Sequence, residues 1–470
     1  MAEEKGRHDP AVTDRQAVPD NAMTAILKVS GNGQTMQRAP LGHNWPLLIL
    51  IAMIPLQNIY LGKLPTLSGG INFLNLMAIL AFIAWRNHPE RATPTSSDFH
   101  YPILWFVVIY LVSAVHGIYF LGYVPQRYFS SLKDLFLPLL IFFIVLNSVR
   151  DRRGIVAVII ATLFPLAYMF RVFYAQFSHV YSWHYTDDFR FVKGTFMMLG
   201  SNELAAFYAA YTFIVILLAL YVEKLRYRLL LGGLALLNLY SLMYSQSRGA
   251  WLAFLAALFV LLFKTGKVKV LIATLILSLS APVVIGLFPV SVQERFNSIF
   301  VEQEEERDKS AQSRFIIWEN AIETYKEHPV LGVGYRVFNK LNEYQNKDTH
   351  NYYLKLLVEQ GPLGLLIFLV ILWRSYRNAN ALWREASDPV FKALGLGTVA
   401  AVVSLAVANL FGDRFTHYPL STYFWVYLAL VVRARIILEE EKGKPASPTG
   451  NGATGRVLRY GKTVFQQTHG

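Results

Sequence analysis

The chain has 470 residues, of which 54% are apolar, with a mean hydropathy of +0.35, a formal net charge of +13 and no cysteine. Uncharged apolar runs such as Leu47 to Leu61 and Leu204 to Val222 recur too often for a soluble globular domain, and ten-residue alternating strands of a membrane barrel are absent. Without cysteine there is no disulfide framework, thiol nucleophile or thiolate metal site, and the Lys and Arg residues sit mostly in short connections between apolar runs, where they set orientation rather than bind nucleic acid.

Taken in order, the pattern predicts an all-α polytopic membrane protein. Residues 1–44 are polar, with scattered Pro and Gly and no cleavable signal, and read as a disordered cytoplasmic tail. Residues 45–289 hold nine spans, centred near residues 53, 77, 109, 141, 165, 212, 237, 256 and 278. Residues 290–352 form a long loop, 353–438 hold three further spans near 365, 401 and 427, and 439–470 read as a second cytoplasmic tail. The total is about twelve spans. Arg150 to Arg153, Lys224 to Arg228, Lys264 to Lys269 and Arg374 to Arg384 fall on one side, and the opposite connections carry roughly half as many basic residues. That bias puts both termini in the cytoplasm and the long loop outside. No internal repeat is evident.

Within the loop, the acidic run Glu302 to Asp308 reads as solvated surface. Ser313 to Tyr325 reads as an amphipathic helix with Phe315, Ile316, Trp318, Ile322 and Tyr325 on one stripe, Glu319 and Glu323 off it, and His328-Pro329 ending it. Residues 350 to 359 predict a short helix capped by Asp348 or Thr349 and broken at Gly361-Pro362. From Pro362 to Arg374 the helix spans only about 18 Å against a hydrocarbon core of about 30 Å, so either Arg374 snorkels or part of 350–361 dips into the membrane.

His350 therefore lies at the outer interface, either as a hydrogen-bonded boundary residue or as a near-neutral base. Arg248, in the outer turn YSQSRGAW, either snorkels or offers a planar, permanently charged fork to phosphate oxygens. Arg314 opens the loop helix at the same level. Arg171 is an ionisable residue inside an apolar run, and Arg127 and Lys133 flank an outer segment as cavity residues or interface anchors. Neither HExxH nor Asp-x-Asp is present, Asp187-Asp188 is a weak cation signal, and Gly332-Val333-Gly334 suits a turn rather than a nucleotide fingerprint, so neither metal, nucleotide nor other cofactor is implied.

Together these segments resemble the O-antigen ligase family. The carriers are His350-Asn351 followed by Gly361 and Gly364 at the family spacing, Ser247-Arg248-Gly249-Ala250-Trp251, Ser313-Arg314 with Trp318, His328 to Gly334, and Gly200 to Phe207. The resemblance covers most of residues 190 to 375, with two departures: Gln312 precedes Ser313-Arg314 where Ser-Gly-Arg is frequent, and Arg336 replaces a small residue, adding a possible phosphate or sugar contact. It implies a GT-C-like fold with one large periplasmic helical loop, in the inner membrane of a Gram-negative bacterium. It further implies an inverting transferase that needs no cofactor. The donor is O-antigen on undecaprenyl diphosphate and the acceptor is lipid A-core. His350 is then the base, Arg248 and Arg314 bind diphosphate, and Arg127, Arg171, Arg336 and Asn351 are secondary candidates. Gly361 and Gly364 are structural. Three readings compete: an O-antigen polymerase, a protein O-oligosaccharyltransferase, and a non-catalytic flippase of polyprenyl-linked glycans.

Overall fold

In a bilayer the backbone polar groups must be satisfied within the segment, which leaves helices for apolar runs of this length. The computed structural model describes residues 44–56, 73–87, 97–125, 128–180, 200–266, 290–297, 309–342, 344 and 347–443, and all regular structure among them is helical. In order these are α1 (Trp45–Met53), α2 (Phe73–Arg86), α3 (His100–Leu121), α4 (Tyr128–Ser148), α5 (Arg152–Val180), α6 (Ser201–Tyr221), α7 (Leu225–Tyr244), α8 (Arg248–Lys264), α9 (Val290–Asn297), α10 (Lys309–Glu327), α11 (Phe338–Leu341), α12 (Tyr352–Glu385), α13 (Pro389–Ala408) and α14 (Tyr418–Gly443).

Among the described residues, seven helices are long and apolar enough to cross a membrane: α3 to α6 and α12 to α14. A helix also stands at each expected centre near 53, 77, 237 and 256. Of these, α1 and α2 are short, α8 has 17 residues, and α7 carries Arg226 and Arg228 in its first turn. The expected span near 278, most of both tails, the run 302–308 and Asp187-Asp188 lie outside the described residues.

Helices in lipid associate through close packing rather than hydrophobic drive, so small residues gather where axes approach. α6 contributes Ala205, Ala206, Ala209 and Ala210, all buried, and packs against α13, where Ala393, Gly395, Gly397, Ala400 and Ala401 are buried. A methyl group at Gly397 would sit 3.1 Å from the Cα of Ile214. Buried tyrosines fasten the bundle by pairing their hydroxyls: Tyr427 with Thr162 at 2.8 Å and Tyr211 with the Leu420 carbonyl at 2.5 Å.

The two ends of the bundle differ in chemistry. At one end Arg152 pairs with Asp388 at 2.5 Å, Lys264 donates to Asn380 at 2.6 Å, Arg435 donates to Asn378 at 2.5 Å, and Arg374 donates to the Asp98 carbonyl. The basic segments thus gather together. One expectation is corrected here: Arg374 to Arg384 is no connection, because α12 runs through it to Glu385. From Pro362 to Glu385 it extends about 36 Å at 1.5 Å per residue, so the shortfall read from the sequence vanishes. The opposite end gathers the start of α6, the α7–α8 turn, the segment before α12 and the α13–α14 turn.

Candidate functional site

The kink in α12 positions everything around the site. Gly361 is non-helical at φ 69°, ψ −171°, and Pro362 has no N–H, so the Val358 carbonyl four residues back loses its helical donor. Val333 N–H takes that carbonyl at 2.9 Å, while Gly334 N–H at 3.0 Å and the Ser113 hydroxyl at 2.8 Å take that of Glu359. The 328–334 segment is therefore a backbone clasp on the kink. Its glycines are needed for contact: a methyl at Gly361 would run into the Val330 carbonyl oxygen, and one at Gly332, where φ is +66°, into that of Val358. Gly364 packs its bare Cα against the Gln360 side chain.

About two and a half turns before the kink, α12 begins just after His350. The cap is Asn351, whose side-chain oxygen accepts from Tyr353 N–H at 3.0 Å and Leu354 N–H at 3.2 Å, and not Asp348 or Thr349. Those two are spent on the turn itself. Asp348 accepts from Thr349 N–H at 2.9 Å and pairs with buried Lys355, which also reaches Glu359 at 3.2 Å; the Thr349 hydroxyl donates to the Asn351 carbonyl at 2.9 Å. Trp318 of α10 donates to the Thr349 carbonyl at 2.9 Å, and Tyr352 N–H to that of Asn409 at 2.9 Å. Held from both sides, His350 adopts φ +51°, the left-handed region that a side-chain-bearing residue enters only under constraint.

Burial lowers the His350 pKa below its ordinary value; Asp413 and Asp348 pull it up, and Arg314 and Arg414 push it down. The imidazole is therefore neutral at pH 7, with Arg314 and Asp413 in electrostatic reach. Burial would raise the Asp413 carboxyl, but His417, Lys355, Arg414 and His350 hold it at about 2. Arg414 in turn pairs with Glu203 in the first turn of α6, and His417 stands 3.7 Å from the same carboxylate.

Arg248 is the first residue of α8, reached through a turn in which Gln246 has φ +57° and Ser245 donates to the Leu242 carbonyl at 2.7 Å. Gly249 lets this turn approach the next one: a methyl there would lie 2.8 Å from the Cβ of Phe411, two residues beyond Asn409. Arg248, Arg314 and His350 consequently occupy one end of the bundle. Arg336 (φ +55°) follows the clasp and donates to Ser131 at the start of α4. Arg171 lies on the exposed flank of α5 with its guanidinium 5.9 Å from the Tyr168 ring, and is not brought to this cluster. Lys133 pairs with neighbouring Asp134 at 3.2 Å on the surface, and Arg127 is outside the described residues.

α10 spans Lys309–Glu327 and ends before His328-Pro329, but its buried face is not the expected one. Ile317 and Ala321 are fully buried, whereas Phe315, Ile316 and Ile322 are 67%, 38% and 45% exposed. The apolar stripe is broad, and only its edge meets α12. Residues that sequence reasoning passed over are Glu203, Asp413, Arg414, His417, Lys355 and Glu359. The signal for Asp413, Arg414 and His417 was GDRFTHYP, residues 412–419, a charged interruption between the last two apolar runs on the side where charge is sparse; Glu203, Lys355 and Glu359 had no such local signal. Among the described residues no three His, Asp or Glu side chains converge as a metal ion requires.

A helical bundle with long apolar spans and a polar, cation-bearing cluster at one end has the character of a polytopic membrane protein. Residues 233–369, which include Arg248, Arg314 and His350, match the family described as O-antigen ligase, so the resemblance is borne out over that segment. An uncharacterized protein of Haemophilus influenzae (strain ATCC 51907 / DSM 11121 / KW20 / Rd) is 27% identical over 185 residues, covering 34% of this chain and 45% of that relative's length.

Proposed function

We propose that this chain is an inverting glycosyltransferase. It moves O-antigen from undecaprenyl diphosphate to a sugar hydroxyl of lipid A-core, at the periplasmic face of the inner membrane of a Gram-negative bacterium. The observation that carries this reading is His350: neutral through burial, held on a constrained turn, with Arg314 in electrostatic reach and Arg248 at the same end. The acceptor hydroxyl loses its proton to His350 as its oxygen bonds to the anomeric carbon. On the opposite face of that carbon, the bond to the diphosphate oxygen breaks, which inverts the centre. The departing diphosphate carries the electron pair, and the guanidiniums of Arg248 and Arg314 stabilise that charge. Asp413 stabilises the imidazolium that forms. The donor brings its own leaving group, so neither nucleotide nor metal enters the scheme.

The test incubates purified protein with polyprenyl-diphosphate glycan and lipid A-core, with chelator and without ATP. A glycan–lipid A conjugate is expected from the parent, and about 10²- to 10⁴-fold less from His350→Ala. Longer polyprenyl-linked chains without conjugate make the protein a polymerase, and translocation without covalent transfer makes it a flippase; either result overturns the ligase reading.

A further inference from the structure

The first arm of α12 turns Tyr352, Lys355, Leu356 and Glu359 into the protein, all 4% exposed or less. Apolar side chains are expected on such a face, and the Lys355–Glu359 pair breaks that rule. Two charges taken out of water stabilise less than two well-packed hydrophobic residues would, so the pair is not explained by stability. What the ammonium holds explains it. The Asp348 carboxylate, two residues before His350, has one oxygen on Thr349 N–H at 2.9 Å and the other on Lys355 Nζ, so both are spent within the turn. On its other side Lys355 donates to Glu359 Oε1 at 3.2 Å, and the Glu359 carbonyl is itself held by Gly334 N–H at 3.0 Å and the Ser113 hydroxyl at 2.8 Å. One ammonium thus joins the turn that carries His350 to the clasped kink.

We propose that Lys355 is a positioning residue for His350: its ammonium keeps the Asp348 carboxylate on the turn and away from the imidazole. The inference rests on the transferase reading and adds to it the group that tunes the base. His350 is faced by Asp348 on its own segment, by Arg314 of α10, and by Asp413 and Arg414 of the α13–α14 turn. Lys355 is faced by Asp348, Glu359 and Asp413, with Tyr110 of α3 and Tyr335 after the clasp alongside. Without the ammonium, Asp348 Oδ2 loses its partner in the turn, and the imidazole two residues on can supply one by taking a proton. A salt-linked imidazolium is no base. The cation on Lys355 therefore preserves the neutral histidine by competing for the same carboxylate.

The test reads the acid limb of kcat/KM against pH, which reports the base in the free enzyme. Lys355→Met keeps the length of the stem, and Glu359→Gln is made with it so that no unpaired carboxylate is buried in the arm. In Lys355→Met/Glu359→Gln the limb is expected to move up by about 1 pH unit, since the freed Asp348 favours the imidazolium. Adding Asp348→Asn should return it to the parent's position, and Glu359→Gln alone should leave it there. Lys355→Gln/Glu359→Gln should give the same order. A limb that stays fixed while the rate falls makes the ammonium merely structural, and a rise that survives Asp348→Asn means that it does not act through that carboxylate; either result overturns the proposal. A second measurement needs no turnover: the rate at which diethyl pyrocarbonate modifies the His350 peptide, followed against pH, titrates the imidazole itself and should show the same displacement and the same return. If the parent transfers no glycan the transferase reading fails, while this titration still decides whether Lys355 governs His350. An unmoved titration sinks the inference even where transfer is intact.

Discussion

Burial acts against the imidazolium form of His350, and the surrounding charges divide by sign: carboxylates of Asp413 and Asp348 favour it, guanidiniums of Arg314 and Arg414 oppose it. The base form is present above the folded pKa and is lost as pH falls through it, and that pKa lies below the ordinary 6.5. The acid limb of kcat/KM is therefore expected below pH 6.5. Two substitutions should move it in opposite directions. Asp413→Asn removes a group that raises the pKa, so the limb shifts to lower pH; Arg314→Gln removes one that lowers it, so the limb of the residual activity shifts up. Both displacements are read from pH–rate profiles with the two variants side by side. A limb that stays fixed in both means the titrating base is not His350.

At the scale of an element, the kink of α12 makes one glycine far more demanding than another with nearly the same φ. Gly122 (φ +71°) faces open space at the end of α3, whereas Gly361 (φ +69°) is pressed against the Val330 carbonyl. Gly122→Ala should cost only the left-handed strain, about 1–2 kcal/mol. Gly361→Ala adds a ψ of −171° that at this φ is essentially open to glycine alone, and a collision with the Val330 carbonyl, and should lower the thermal midpoint in detergent clearly further than Gly122→Ala does. Equal shifts would mean that neither the clasp nor the broken backbone constrains Gly361. The break itself was legible, because Gly-Pro states it locally. The clasp was not: it joins residues 333 and 334 to carbonyls that are freed only once Pro362 is inside a helix. The same division runs through the site. His350 and Arg248 stand in short local patterns, whereas Glu203 and Arg414 meet across 211 positions and become partners only when α6 and α14 are side by side. The α10 helix was readable from its period, but its buried edge depends on which side α12 approaches.

For the whole molecule, the arrangement of ends carries the functional argument. Lys264, Arg152, Arg374 and Arg435 lie at one end, and His350, Arg314 and Arg248 at the other, so under the positive-inside rule the proposed orientation has the basic end in the cytoplasm and the candidate site outside. A donor flipped to the outer leaflet is reachable only in that orientation. Because the sequence contains no cysteine, single substitutions report sidedness without background. Gln312 is exposed on α10 at the site end, and Glu223 is exposed between α6 and α7 at the basic end. With the outer membrane permeabilised and the inner membrane intact, a charged maleimide should label Gln312→Cys at once and Glu223→Cys only after lysis. The reverse pattern would put His350 in the cytoplasm, where the substrate would have to be met before export, and a periplasmic transferase could not be maintained.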